Sequence, residues 1–210
     1  MHLSKSIVSI AESLLKAVSV RDPFLENHSR AVAKIAKIVA AEMGLPVREQ
    51  DHIYLAGLLH DVGKLGIKDA YLFKQKKLSR EDWTEIKKHP VISYELLKEI
   101  PGMHYISLMA LYHHERYDGN GYPEGLARKD IPRGARILAV ADAFEAMTAD
   151  RVYRRKMDWR TALAELRRNA GSQFDAAVVS AFCKVLTDRK NECDSHAESA
   201  DKDFSLIKER

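Results

Sequence analysis

Cysteine is almost missing from this chain: Cys183 and Cys193 are the only two in 210 residues, and neither sits in a Cys-x-x-Cys pair. That excludes a disulfide scaffold and a zinc knuckle, and it fits a reducing cytosol. Long apolar runs are missing too. Charged residues interrupt every candidate, so no stretch approaches a membrane span. The opening Met-His-Leu-Ser-Lys-Ser has neither the apolar core nor the cleavage site of a signal peptide. The expected location is cytoplasmic, with no membrane partner. Internal repeats, low-complexity segments and alternating strand patterns are also lacking. Neither sign of charge dominates: 34 Lys and Arg face 30 Asp and Glu, for a net charge of +4. This balance suits an anionic substrate and is too weak to argue for DNA binding.

What is present reads as helix. Ile7, Ile10, Ala11, Leu14, Leu15 and Val18 recur at helical spacing and form an amphipathic stripe. The stripe either pairs with its own copy in a homodimer or folds back onto the domain. Asp22-Pro23 interrupts it, and a second helix is predicted from Pro23 to Met43, ending at Gly44. The segment Ile53 to Leu59 is apolar nearly all round and belongs in the middle of the domain. Ser79 to Asp82 resembles a capping box. His89-Pro90 breaks or kinks the following helix. Residues 115–132 are irregular and rich in glycine and proline. Further helices are expected over 135–149, from Asp158 to Gly171, and from Asp175 to about Thr187. The division is an N-terminal helix over 1–21, a domain over 22–187 and a polar, disordered tail over 188–210.

Two strings carry the chemistry. His60-Asp61-Val62-Gly63-Lys64 ends the most apolar segment with an imidazole, a carboxylate and an amine. On a helix the three could point to one side. Unpaired charge there would be costly, and a bound cation would supply the pairing. The second string runs from His113-His114 through Glu115-Arg116-Tyr117-Asp118-Gly119-Asn120 to Gly121-Tyr122-Pro123. Successive residues diverge by about 100° on a regular helix. The two histidines therefore serve adjacent ions or straddle a widened helix end. His28 faces inward, His89 sits at the break before Pro90, and Asp142 interrupts an apolar helix. Each alone also reads as a satisfied core or cap residue. Together, five imidazoles and two carboxylates suit a centre of two metal ions. Mixed nitrogen and oxygen ligands favour iron, manganese or zinc over magnesium or calcium.

The order of these motifs closely resembles the HD-GYP domains of bacteria, a branch of the HD superfamily of metal-dependent phosphohydrolases. The likeness runs from about Asp22 to Thr187. It implies an all-α HD-superfamily bundle with an irregular Gly/Pro-rich loop. It also implies hydrolysis of cyclic di-GMP to linear pGpG or GMP, by in-line attack of a metal-bridging hydroxide. The metal ligands it implies are His28, His60, Asp61, His89, His113, His114 and Asp142, holding two divalent ions, iron or manganese. Asp61 would bridge the ions, and Lys64 would contact the substrate phosphate. Arg151 and Arg154 would hold the other side of the dinucleotide. Tyr122 would shape the site mouth against substrate, and its loop could instead present a surface to a protein partner. Phe24 stands where trinuclear relatives carry glutamate, which favours two ions. The alternatives are another cyclic nucleotide as substrate, or a receptor that binds cyclic di-GMP without turnover.

Overall fold

The computed structural model describes residues 5–74, 76–150 and 156–194. Among them the chain is helical, with two isolated β-bridges and no strands. In chain order the helices are α1 (Lys5–Ser19), α2 (Pro23–Glu42), α3 (Val47–Leu59), α4 (Asp69–Leu72), α5 (Arg80–Ile86), α6 (His89–Leu97), α7 (His104–Tyr112), α8 (Arg133–Thr148), α9 (Trp159–Arg168) and α10 (Ala176–Asp194). A 3-10 turn, Val62–Gly66, follows α3. None of these helices is long and apolar enough to cross a membrane.

The centre of the bundle is the crossing of α2 and α3, with α7 and α8 packed around it. In α3 the residues Ile53, Leu55, Ala56, Gly57, Leu58 and Leu59 are all buried, as its all-round apolar sequence requires. Gly57 sets how closely the helices approach: a Cβ there would lie 2.5 Å from Ala33 Cα. Most of the α1 stripe is used inside the chain, with Ile10 left exposed. Ala11, Leu15 and Val18 join the main core, and Ile7 and Leu14 pack against it. Fold-back, one of the two outcomes open from sequence, is therefore the arrangement seen.

Local signals place most helix ends. Asp22 caps α2, accepting from Phe24 N at 3.1 Å, with Pro23 in the first turn. Ser79 and Asp82 complete a reciprocal capping box on α5. Asp158 caps α9, accepting from Arg160 N at 3.0 Å.

Two expectations shift. The break near Pro90 falls earlier, at Lys87–Lys88, and His89-Pro90 begins α6. Proline lacks only an N–H that the first helical turn leaves unpaired anyway. The last helix also continues past Thr187 to Asp194. Residues 195–210, the remainder of the polar tail, lie outside the described residues.

Candidate metal centre

Three helix ends converge on one cluster. His60 follows the last residue of α3, and His113 follows the last residue of α7. His89 opens α6 just after α5 closes. Each imidazole turns back on the preceding helix in the same way. His60 Nδ1 lies 2.8 Å from Gly57 O, His89 Nδ1 lies 2.8 Å from Ile86 O, and His113 Nδ1 lies 2.7 Å from Ala110 O. A carbonyl only accepts, so each Nδ1 carries the proton and each Nε2 keeps a lone pair. All three Nε2 atoms are buried and have no hydrogen-bond partner. A buried acceptor is rarely left unsatisfied, so three together, aimed at one place, fit a cation.

The carboxylate of Asp61 sits among them. Its Oδ1 is 3.2 Å from His89 Nε2, and its Oδ2 is 3.4 Å from His60 Nε2 and 3.9 Å from His28 Nε2. One oxygen thus faces each side of the cluster. Ligand atoms close enough to share an ion form three overlapping groups: His28, His60 and Asp142; His60, Asp61 and His113; and His89, His113 and His114. These are the seven residues expected from sequence, and the structure brings all of them together. The chemistry of the donors, imidazole nitrogen and carboxylate oxygen, fits transition-metal ions.

His113 and His114 both reach the cluster, just past the end of α7 at Tyr112 and with His113 still in a right-handed helical conformation. Their rings lie 4.0 Å apart, centroid to centroid, and both reach the group that includes His89. Burial and neighbouring imidazoles push both below the usual histidine value, His114 to about 4. Both therefore stay neutral and able to donate a lone pair at neutral pH. His28 behaves differently. Burial pushes it down, but Asp142 and Glu145 raise it to about 9. A proton and a metal ion thus compete for its Nε2, which lies 3.3 Å from Asp142 Oδ1. Asp142 stays below the ordinary carboxylate range: burial opposes this, and His28 more than compensates.

Lys64 reaches the cluster from the 3-10 turn rather than from a continued helix. Its Nζ lies 2.6 Å from Asp61 Oδ2. Gly63 makes the turn's approach to α6 feasible. A Cβ there would lie 2.0 Å from His89 O and 2.4 Å from Ser93 N. Ser93, buried, ties the two elements by accepting from Gly63 N at 2.8 Å and donating to His60 O at 2.9 Å. Arg21 braces the far side of the turn through the carbonyls of Lys64 and Leu65, at 3.1 and 2.8 Å.

The Gly-Tyr-Pro loop forms one wall. Tyr122 stacks on His114 with ring centroids 4.8 Å apart. Its hydroxyl is held above the usual tyrosine value by burial and by the charges of Asp61 and Asp142. Buried Glu115 pins the loop, accepting from Glu124 N at 2.7 Å and Gly125 N at 3.0 Å. Gly121 passes so close that a Cβ would lie 2.3 Å from Arg116 N. Arg151 and Arg154 lie outside the described residues. Phe24, one turn before His28, is exposed.

Glu145 is the residue sequence reasoning missed. Its carboxylate accepts from His28 Nδ1, a role that backbone carbonyls fill for His60, His89 and His113. The signal was available: Glu145 lies three residues after Asp142, and the two carboxylates are the only polar side chains from Ile137 to Met147 and share a face.

A helical bundle enclosing a cluster of histidines and carboxylates defines a class of domain able to hold metal ions. The HD domain family matches residues 12–178, and the chain belongs to it. The response regulator RpfG of Xanthomonas campestris pv. campestris, a cyclic di-GMP phosphodiesterase, is 39% identical over 81% of this chain and 46% of its own length. A 3′3′-cGAMP-specific phosphodiesterase of Vibrio cholerae is 34% identical over 89% of this chain and 41% of its own. A cyclic di-GMP phosphodiesterase of Thermotoga maritima is 33% identical over 95% and 54%. The chain thus spans about half the length of these relatives. Among solved structures, the HDG"Y"P protein Bd1817 of Bdellovibrio bacteriovorus shares the fold, with a TM-score of 0.62 at 19% identity over 78% of this chain and 52% of that one.

Proposed function

We propose that this chain is a metal-dependent phosphodiesterase that hydrolyses cyclic di-GMP. The observation that carries the reading is the set of three buried, unpartnered Nε2 atoms around an aspartate whose two oxygens face different histidines. The names of the relatives supply the substrate class. His28, His60 and Asp142 would hold one ion, and His89, His113 and His114 the other, with Asp61 between them. Bound there, two divalent ions would lower the pKa of a shared water and neutralise phosphate oxygens. Iron or manganese is the expected pair.

The remaining roles belong to the chain's own groups. Lys64 sits on Asp61, so a cation that takes over that carboxylate frees the ammonium for a phosphate oxygen. Charge developing on the non-bridging oxygens is what such a fixed cation stabilises. Tyr122 orients His114 and limits the mouth. Arg151 and Arg154 would secure the second half of the dinucleotide.

Anaerobic purification with elemental analysis tests the reading, followed by a cyclic di-GMP assay with iron or manganese restored. About two metal ions per chain and release of pGpG or GMP are expected. A loaded protein that binds cyclic di-GMP without turnover would make it a receptor instead. The 3′3′-cGAMP-specific relatives favour one second reading, the mixed dinucleotide as substrate. Comparing rates on both dinucleotides decides between them.

A further inference from the structure

On the Gly-Tyr-Pro side of the cluster one cation has no assigned task. Lys87 is exposed, in the short break between α5 and α6, two residues before His89. Its Nζ lies 5.0 Å from the centre of the Tyr122 ring. The same ring stacks on His114, and His114 in turn lies edge-on to His89, with centroids 5.0 Å apart. Lys87 therefore stands at the rim of the metal cluster, held there through one aromatic ring.

The manner of holding matters. Neighbouring Lys88 is engaged by Glu85 at 2.6 Å, and Lys64 is engaged by Asp61. Among the described residues, Lys87 has no carboxylate partner; its ammonium lies over the ring instead. A π-face orients an ammonium without cancelling its charge. The remaining N–H donors stay free for an anion, and lysine binds phosphate as a point charge. A cyclic dinucleotide carries two phosphates on opposite sides of one ring. While one lies at the metal cluster, the other must lie beyond its rim.

We propose that Lys87 is a substrate-binding residue, poised by Tyr122 to hold the phosphate of a cyclic dinucleotide that is not being cleaved. This rests on the phosphodiesterase reading above. It adds a feature, beside the role given to Arg151 and Arg154, that would favour a diphosphate ring over a simple phosphodiester.

The test is steady-state kinetics of metal-loaded wild type, Lys87→Met and Lys87→Arg on cyclic di-GMP at several salt concentrations. Methionine keeps the apolar stem over Tyr122 and removes the charge. Loss of one charged phosphate contact should raise KM roughly tenfold in Lys87→Met. The effect should lie in KM rather than kcat, arginine should restore it, and the salt dependence of KM should weaken in Lys87→Met. Unchanged KM in Lys87→Met overturns the proposal. So does a fall in kcat and metal content that arginine fails to rescue, because that would mark a packing role. A wild type that neither binds nor cleaves any cyclic dinucleotide overturns the functional reading itself, whereas the first two outcomes leave it standing.

Discussion

Lys64 Nζ and Asp61 Oδ2 are 2.6 Å apart, although Asp61 is the one carboxylate positioned to face both halves of the cluster. Burial works against charge on both. Asp61 nonetheless stays well below the ordinary carboxylate range, chiefly through Lys64, and Lys64 stays above the ordinary lysine value through Asp61. The pair is mutually sustaining, and a metal ion must displace the ammonium to gain that oxygen.

Replacing Lys64 by methionine therefore has opposite effects on two measurements. The metal-stripped variant should melt lower, because Asp61 loses its main counter-ion; breaking a buried pair costs about 3–5 kcal/mol, and the partial exposure of Lys64 puts the loss below that range. The gain in Tm on adding metal should be larger than in wild type, since no ammonium competes. Calorimetry with and without manganese checks both, and an unchanged gain would sink the competition argument.

The same pair sets an acid response. A carboxylate depressed in the folded state contributes stability above its unfolded value, 3.8 for Asp61, and loses it as pH falls through the folded value. Metal-stripped wild type should lose stability as pH falls below about 4. The Asp61→Asn variant should show a shallower decline over that range. Parallel acid limbs in urea melts of the two proteins would contradict this.

Glu145→Gln tests the missed partner of His28. The amide keeps the volume and can still accept from Nδ1 through its oxygen, but it removes the charge. Substitutions of such outer partners weaken metal binding by about 10–100-fold. Metal titration with a fluorescent competitor should show that loss with the helical circular-dichroism spectrum retained. Wild-type affinity would relegate Glu145 to packing.

Gly63→Ala tests why the turn carries glycine. The added methyl meets backbone, His89 O and Ser93 N, which cannot simply rotate away. Overpacking of this kind costs about 1–3 kcal/mol, and His89 should shift with it. Expected results are a lower Tm and a lower metal content, measured together. A stable variant with full metal occupancy would disprove the contact.

Deleting residues 1–20 distinguishes a core helix from a dimer arm. Burial of Leu15 and Val18 in α1 contributes about 3–6 kcal/mol as an upper estimate. The shortened chain should be markedly less stable, as read by urea melts, with light scattering reporting its mass. A dimer that becomes an equally stable monomer would refute this.

Much of this arrangement could be read from the residues, for local reasons. Asp22-Pro23, the Ser79–Asp82 box and Asp158 act within a few residues of themselves, so their caps were visible. The ligand histidines were visible because imidazoles at helix ends and inward positions need an explanation. Less visible were relations between segments distant in sequence. Ser93 bonding to His60 and Gly63, and Arg21 bracing the 3-10 turn, depend on how α6 and the α1–α2 corner pack. The pairing of His113 with His114 also depended on where the end of α7 meets His89, a relation between distant segments.

The repeated bond from imidazole Nδ1 to a carbonyl three residues earlier has an electrostatic consequence. Gly57 O, Ile86 O and Ala110 O belong to the last turns of α3, α5 and α7. Aligned peptide dipoles leave the C-terminal end of a helix partially negative, by up to about half an elementary charge in a long helix. Three such ends meet at one point. Part of the attraction for a cation is thus built into the backbone, where no side-chain substitution and no change of pH removes it. A variant lacking one imidazole should keep a weakened appetite for divalent ions rather than lose it outright.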